Sequence, residues 1–437
     1  MRNVDAAGLG IGDDHPPRIM GVLNVSAESP YDPSVYDDPG EAAEYVDEEL
    51  IGEGADIVDV GLESANKDLD VLSAEQELDR LDTAVETLES TSGDAVWSIE
   101  TRYHEVADEA LSRGFDMVND ICGFADPEMP RVCSEHDAAV SKMASPPDLE
   151  RPGAIEEVDW AARSAASPER SWSYADDIYE ALSMNGFTDK TILDPAFGGW
   201  SEAKTHADDR ETLRRLREFR GYGRPLLVSI NRKSFLKTIA GRTTEEALPV
   251  SLAATSMAVE RGAHVIRTHD VAETRDAALV GAEFARNRVR SGRDAGDVAV
   301  EELDVTTARE AERHLDRLGA DRGAADAAVV RTYELTGLPE PAVGALRAAT
   351  AGAEGVDGAE FALAGEADAA APGPAADPPS ATDGGAPDTS DARDAAETGA
   401  AGLLICTPAG RRALIDRVSG VSDPLDAALE ATDAGSK

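Results

Sequence analysis

An alternation repeated eight times between Arg18 and about Arg290 constrains the fold most strongly. Short, almost continuously apolar runs alternate there with longer amphipathic stretches. Such apolar runs predict strands buried on both faces, and the amphipathic stretches predict the helices that cover them. The predicted strands are 18–24, 56–60, 95–99, 116–119, 138–143, 190–194, 225–229 and 263–267. The predicted helices lie near 40–53, 74–90, 103–113, 127–135, 168–185, 209–220, 244–261 and 271–290.

Eight strand–helix units in roughly 270 residues match a (β/α)8 TIM barrel in number and in length. Gly54, Gly114 and Gly262 each follow a helical pattern and precede a strand, as helix-ending glycines do. A doubly wound open sheet is the alternative architecture. It is disfavoured because no glycine fingerprint follows the first strand.

The rest of the 437-residue chain is predicted to add smaller parts to the barrel at 18–290. We expect an N-terminal tail at 1–17 and a small helical extension at 300–362, which is rich in Arg and Ala. Residues 363–400 almost lack large apolar side chains and consist mainly of Ala, Pro, Gly and Asp. Because this composition buries too little surface to offset the entropy of ordering, it predicts a disordered acidic linker. Residues 401–437 regain apolar residues and are expected to form a short α/β or helical segment.

Acidic residues outnumber basic ones, 86 against 41, which gives a formal net charge of −45. A surface this acidic repels itself at low ionic strength, and concentrated salt screens the repulsion. We interpret the composition as a halophilic adaptation. The charge also disfavours non-specific binding to nucleic acid or to an anionic membrane, since both require basic patches.

The three cysteines, Cys122, Cys133 and Cys406, lack the spacing of a metal site or a redox motif. A sparse, odd number of cysteines fits a reducing compartment. No stretch has the character of a signal peptide or the length of a membrane span. We therefore expect a soluble, cytoplasmic protein.

Polar side chains lie at or just beyond the ends of all eight predicted strands, on the side where barrel enzymes place their active sites. They are Asn24, Asp59 with Glu63 and Ser64, Glu100 and Thr101, Asn119 and Asp120, Lys142, Asp194, Asn231 to Lys233, and Arg267 to Asp270. Any single one of these is more often a helix cap or a solvated loop residue. Their coincidence at eight successive strand ends predicts a functional site.

One group of these residues suits a flat heterocycle. Glu100, Asn119 and Asp194 offer carboxylate and amide groups, and Lys233 offers a donor. This mixture matches the alternating N–H and C=O edges of a pterin or a purine.

A second group suits a phosphate or pyrophosphate. Arg267 and His269 supply two cationic groups at one strand end, and Arg267 offers paired hydrogen bonds. Asn24 offers a neutral oxygen for Mg²⁺. The residue types together therefore predict a heterocyclic substrate that carries a pyrophosphate.

Seven blocks of sequence carry a family resemblance. They are MGVLNVSAES (20–29), DVGLES (59–64), SIETRYHEVADEAL (98–111), VNDICG (118–123), ILDPAFG (192–198), NRKSF (231–235) and IRTHDV (266–271). In this order, and at predicted strand-to-loop junctions, they resemble dihydropteroate synthase over about residues 18–285. That family is a group of transferases that join 6-hydroxymethyl-7,8-dihydropterin pyrophosphate to p-aminobenzoate.

The resemblance implies a role for each matching residue and a homodimer by analogy. The pterin-binding residues it implies are Glu100, Asn119, Asp194 and Lys233. The pyrophosphate-binding residues it implies are Asn24, Arg267 and His269, with Asn24 also a ligand of Mg²⁺. The catalytic residues it implies are Lys233, Arg267 and His269.

The arylamine side departs from the family. After Glu63 and Ser64 the usual Thr-Arg-Pro-Gly loop is absent, and Lys67 is the nearest replacement for its charge. We assign Ser64 and Lys67 to the arylamine-side loop. Glu100 stands for the usual Asp, and Lys142 begins the Lys-Met-Ala that replaces the family's Met-His.

Three alternatives stay open. A pterin-dependent methyltransferase would not need Lys233 or the pair Arg267 and His269. A non-catalytic pterin-binding homologue fits the altered loop but not the retained site residues. The same chemistry with another arylamine fits both, and we rank it second, after synthesis with p-aminobenzoate.

Overall fold

The computed structural model describes nine stretches of the chain: 1–26, 34–63, 70–144, 173–198, 204–288, 290–291, 300–351, 355–364 and 400–434. They form two compact units, Met1–Asp304 and Val305–Lys437. Most of the predicted linker, 365–399, lies outside the described residues. None of the helices in the described stretches is long and apolar enough to cross a membrane.

The first unit is a barrel of parallel strands. An antiparallel hairpin, β1 (Val4–Ala6) and β2 (Leu9–Ile11), precedes it within the predicted N-terminal tail. The barrel strands are β3 (Arg18–Asn24), β4 (Ile57–Gly61), β5 (Val96–Thr101), β6 (Met117–Asp120), β7 (Ala139–Met143), β8 (Thr191–Asp194), β9 (Leu227–Val228) and β10 (Val265–Thr268). They pair in the order β8-β7-β6-β5-β4-β3-β10-β9. A further parallel bridge from Leu193 to Leu226 joins β8 to the start of β9, and the (β/α)8 barrel prediction is confirmed.

Helices surround the strands. They are α1 (Pro39–Tyr45), α2 (Ala74–Ser90), α3 (His104–Ser112), α4 (Met129–Glu135), α5 (Tyr174–Ser183), α6 (His206–Arg214), α7 (Ser234–Ala240), α8 (Leu248–Glu260) and α9 (Val271–Glu283). Ser73 begins α2 with a capping box that includes Gln76. Gly54, Gly114 and Gly262 have positive φ, as predicted for glycines that end helices.

Alternate residues of each strand face opposite sides of the barrel wall. Residues at the amino ends of all eight strands form an apolar layer with the N-terminal hairpin: Val4, Ala6, Ile11, Met20, Ile57, Val96, Met117, Ala139, Ile192, Leu227 and Val265. The neighbouring residue of each strand packs in the larger core instead: Ile19, Val58, Trp97, Val118, Val140, Leu193, Val228 and Ile266. Residues that lie two or four positions after a residue of the apolar layer therefore also face the interior of the barrel.

The second unit combines helices with a small sheet. It contains the helices α10 (Ala308–Leu318), α11 (Glu340–Thr350), α12 (Pro408–Val418) and α13 (Asp423–Ala434). It also contains an antiparallel sheet of β13 (Arg331–Leu338), β14 (Ala359–Leu363) and β15 (Ala400–Cys406), in the order β13-β15-β14. Two short strands, β11 (Arg290–Ser291) and β12 (Val300–Glu301), precede this sheet along the chain. The predicted helical extension at 300–362 contains the helices α10 and α11, and it also contains the strands β13 and β14, which pair with β15.

Lys142 corrects another expectation, since it lies on the outer face of β7 rather than at the barrel mouth. Its side chain is completely buried. The Nζ atom donates to the carbonyl oxygens of Leu182 at 3.1 Å and Gly186 at 2.8 Å, and also to that of Met184. It lies 4.9 Å from the centres of two phenylalanine rings. Lys142 thus binds the carbonyl groups at the end of α5.

The Lys142→Met variant is expected to be less stable by about 2 kcal/mol, because buried carbonyl oxygens that lose their donor cost about 1–3 kcal/mol each. The variant no longer buries a charged group, and this gain offsets part of the cost. Denaturant unfolding measures the difference. Lys190→Met is the matched control, since Lys190 binds Asp137 at the surface at 2.9 Å. Equal stability of Lys142→Met and the wild type would contradict the assigned role.

Candidate active site

Polar side chains occupy the barrel interior directly above the apolar layer. Two residues beyond that layer lie Asp59, Ser98, Asn119, Ser141, Asp194 and Arg267. A further step of two reaches Asn24, Gly61 and Glu100 at the carboxyl ends of β3, β4 and β5. The predicted site residues therefore follow from the strand period and the apolar layer beneath them.

Asp59 joins three strands at the centre of this layer. Its fully buried carboxylate accepts hydrogen bonds from Ser98 Oγ at 2.7 Å, Asn119 Nδ2 at 3.0 Å and Arg267 Nε at 2.7 Å. Three donors leave the buried charge well compensated. Asp59 thereby fixes the side chains of Asn119 and Arg267 relative to one another.

Arg267 also contacts Glu100, so that the two predicted binding groups meet. Arg267 Nη2 donates to Glu100 Oε2 at 2.7 Å. Burial raises the pKa of Glu100, and the Arg267 charge opposes that rise. In this state one guanidinium bridges carboxylates that come from β4 and β5.

The side chains of Asp194 and Lys233 bring opposite charges to the other side of the barrel mouth. Burial raises the pKa of Asp194 to about 6, although its Oδ1 accepts the Ala196 N–H at 2.7 Å. Burial lowers the pKa of Lys233 to about 8, and the nearby charge of Arg267 adds to that effect. Gly198 has a φ of +112°, and a Cβ there would lie 3.3 Å from Lys233 Nζ. Glycine therefore makes room for the lysine.

The segment before Lys233 is held by an ion pair. Asp270 accepts hydrogen bonds from Arg232 Nε at 2.8 Å, from Arg232 Nη2 at 2.7 Å and from Asn231 Nδ2 at 2.8 Å. These bonds keep the pKa of Asp270 low. Asp270 thus links the β9 loop to the end of β10, and its side chain caps no helix.

His269, Ser34 and Asn24 form a hydrogen-bonded chain. Asn24 Nδ2 donates to Ser34 Oγ at 3.0 Å, and Ser34 Oγ lies 3.1 Å from His269 Nδ1. Burial, together with the charge of Arg267, lowers the pKa of His269 to about 3. His269 is therefore a neutral hydrogen-bonding group near pH 7, which corrects its interpretation as a second cation.

The structure brings most of the predicted residues together. The inner faces and ends of the strands carry Asn24, Glu100, Asn119, Asp194, Lys233, Arg267 and His269. Ser64 and Lys67, assigned to the arylamine side, lie outside the described residues. Sequence reasoning missed the central role of Asp59 and the contribution of Ser34. The signal for Asp59 was present, because it lies two residues beyond an inward-facing isoleucine.

Comparison with known proteins places this geometry in a class. The family model described as "Pterin binding enzyme" matches residues 20–269, from β3 to the histidine beyond β10. The barrel and its polar mouth are thus those of a pterin-binding enzyme.

Individual relatives narrow the class. The dihydropteroate synthase of Escherichia coli is 30% identical over 279 residues, which are 63% of this chain and 94% of the relative. A probable bifunctional folylpolyglutamate synthase/dihydropteroate synthase of Halobacterium salinarum is 31% identical over 277 residues, and the match spans only 32% of its length. A dihydropteroate synthase from Coxiella burnetii, solved in complex with pteroic acid, matches 64% of this chain and 98% of its own at 29% identity and a TM-score of 0.51. The chain belongs to the dihydropteroate synthase family.

Proposed function

We propose that this chain is a dihydropteroate synthase that joins 6-hydroxymethyl-7,8-dihydropterin pyrophosphate to p-aminobenzoate and releases pyrophosphate. The observation that carries the proposal is the network in which Asp59 holds Asn119 and Arg267, and Arg267 reaches Glu100. Family membership supports the same activity. The pteroic acid bound by the Coxiella burnetii relative supports a pteroate product.

The pterin is proposed to lie among Glu100, Asn119, Asp194 and Lys233. The two carboxylates accept its N–H groups, the amide pairs with a mixed edge, and the ammonium group donates to a ring acceptor. All four side chains are mostly removed from solvent, so their hydrogen bonds act in a low dielectric.

The pyrophosphate is proposed to lie against Arg267, with His269 and Asn24 beside it. In the reaction the arylamine nitrogen attacks the pterin methylene carbon, the carbon–oxygen bond to pyrophosphate breaks, and the nitrogen loses a proton. The leaving group gains negative charge as this bond breaks, and fixed donors at that position stabilise the transition state. His269 supplies a ring nitrogen that can hydrogen-bond to the leaving group.

Asn24 is the residue we propose as a ligand of Mg²⁺. Its Nδ2 donates to Ser34, and its Oδ1 lies so close to Gly61 that a Cβ there would come within 2.9 Å of that oxygen. One neutral protein oxygen suits Mg²⁺, which usually keeps several waters and takes phosphate oxygens from its substrate. When bound, the ion supplies charge that neutralises the pyrophosphate.

The proposal also includes the cellular compartment and the salt conditions in which the enzyme works. The net charge of −45 and three free, buried cysteines support a cytoplasmic enzyme of a high-salt organism. The homodimer stays a prediction by analogy. A second candidate, the same transfer to a different arylamine, is favoured by the altered sequence after Glu63.

The decisive experiment follows pyrophosphate release in concentrated KCl with Mg²⁺, with and without p-aminobenzoate. Release that requires p-aminobenzoate and yields dihydropteroate supports the synthase. Pterin binding without product directs the search to other arylamines, and silence with all of them supports a non-catalytic homologue. Lys233→Ala serves as the site control, because it removes a buried donor while leaving Asp59 and Arg267 paired.

Affinity for the pterin substrate is expected to peak between pH 6 and pH 8, the approximate pKa values of Asp194 and Lys233. As the pH falls through 6, Asp194 takes up a proton and loses an acceptor. As the pH rises through 8, Lys233 loses the proton that it donates. Fluorescence titration across this range measures the profile. The acidic limb should vanish in Asp194→Asn, and an unchanged profile in that variant would refute the assignment.

A further inference from the structure

Arg102 is a second guanidinium at the barrel mouth, and the proposed mechanism does not use it. It lies one residue beyond β5 and two residues beyond Glu100, so the strand period directs it to the inner face. Glu63 has the same relation to Gly61 on β4. Arg102 Nη2 donates to a Glu63 carboxylate oxygen, and the Arg102 side chain is completely buried.

The remaining donors of Arg102 lack acceptors. Its Nε and Nη1 atoms are buried and have no hydrogen-bond partner among the residues that the structure describes. A buried guanidinium with unmade hydrogen bonds is costly, and native proteins keep such groups rarely. The arrangement therefore calls for an oxygen acceptor from outside the described chain.

Three carboxylates interact electrostatically with Arg102, and each already accepts a hydrogen bond. Glu63 accepts from Arg102 Nη2 and from the Leu72 N–H at 3.1 Å. Glu77 accepts from Thr101 Oγ at 2.6 Å, and Glu100 accepts from Arg267 at 2.7 Å. In this arrangement none of the three carboxylates accepts a hydrogen bond from Arg102 Nε or Nη1.

We infer that Arg102 is a substrate-binding residue that donates Nε–H and Nη1–H to an anionic oxygen group at the barrel mouth. This inference rests on the proposed function. A planar guanidinium fork suits both a carboxylate and a phosphate. The arylamine carboxylate is the expected source, because Arg267 already serves the pyrophosphate from β10, and β3 and β4 separate β10 from β5.

Calorimetric titration in concentrated KCl with Mg²⁺ tests the inference with three probes: inorganic pyrophosphate, p-aminobenzoate and the uncharged 4-aminobenzamide. Each arylamine is titrated with pyrophosphate present. In Arg102→Met the Kd for p-aminobenzoate is expected to rise about tenfold or more, since a charge-assisted hydrogen bond is lost. The Kd values for 4-aminobenzamide and for pyrophosphate should stay unchanged. A selective loss of pyrophosphate affinity would instead identify pyrophosphate as the anion.

Two further results would overturn the inference. One is equal binding of all probes by Arg102→Met and the wild type. The other is an equal loss for p-aminobenzoate and 4-aminobenzamide, which would indicate shape rather than charge. Arg113→Met is the matched control, since Arg113 lies at the end of α3 and binds Asp82 at 2.7 Å.

The Glu63→Gln variant distinguishes a substrate-binding role of Arg102 from a purely structural ion pair between Arg102 and Glu63. It can be measured even if the Arg102→Met variant fails to fold. It keeps the Arg102 cation and weakens the carboxylate competing for it, so p-aminobenzoate should bind at least as tightly as in the wild type. A purely structural pair would lose affinity in this variant, which would count against the inference. Product formation by the wild type decides separately on the synthase, because a synthase whose p-aminobenzoate affinity ignores Arg102 retains its function and refutes only the inference.

Discussion

The Arg267→Ala variant is expected to release pyrophosphate at least about 100-fold more slowly than the wild type, the loss typical when one preorganised charge or donor is removed from an active site. Two effects add. The leaving pyrophosphate loses a guanidinium. In addition, Asp59 and Glu100 lose a shared partner that binds them at 2.7 Å each.

The pH dependence of this variant gives a second readout. Arg267 contributes to the lowered pKa of Lys233, so its removal moves that pKa upward. The alkaline limb of the pterin affinity should therefore shift to higher pH. The charge of Arg267 also lowers the pKa of Asp194, so without Arg267 that pKa rises above its value of about 6 and the acidic limb moves upward as well. A loss of rate with both limbs unchanged would contradict this electrostatic account.

Arg215→Ala is the matched control for the loss of a shared cation. Arg215 binds Asp176 at 2.8 Å and Glu218 at 2.6 Å in the helical layer, and its side chain is 15% exposed, against 18% for Arg267. This variant should lose stability, because two buried carboxylates lose their partner. Its affinity for the pterin should not change. An equal fall of rate in both variants would assign the effect of Arg267 to folding.

The strand period made the fold and much of the site predictable from the sequence. Eight apolar runs predicted the number of barrel strands, and the polar residues at their ends predicted Glu100, Asn119 and Asp194. The period could not say which of two alternating sets faces inward, because strands of a covered parallel sheet are apolar on both faces. Lys142 was misplaced for this reason, since it and the inward Ser141 are consecutive.

Other differences depended on distant parts of the chain. The strand Arg331–Leu338 pairs with Ala400–Cys406, and the long linker lies between them in sequence. A local pattern does not reveal such pairing. The neutral state of His269 likewise follows from burial and from the charge of Arg267, neither of which the residue type discloses.

The midpoint of thermal unfolding is expected to rise steeply with KCl concentration. With 86 acidic residues and 41 Lys and Arg, pairing every cation with one acid would still leave an excess of 45 acidic groups. The repulsion among these groups weakens as salt screens it, and this gain outweighs the weaker attraction in the surface ion pairs, which contribute about 0–1 kcal/mol each. A fall or a flat response would contradict the halophilic interpretation.

The shape of this curve separates screening from a general effect of salt on solvation. The Debye length is already about 3 Å at 1 M salt, so a gain due to screening should level off near that concentration. A gain from exclusion of salt from the protein surface continues to rise. Replacing Asp79, Glu86 and Glu89 on the exposed face of α2 with Lys removes two negative units at each position. That variant should be more stable than the wild type in dilute buffer and equal to it in concentrated KCl, because only the unscreened repulsion distinguishes them.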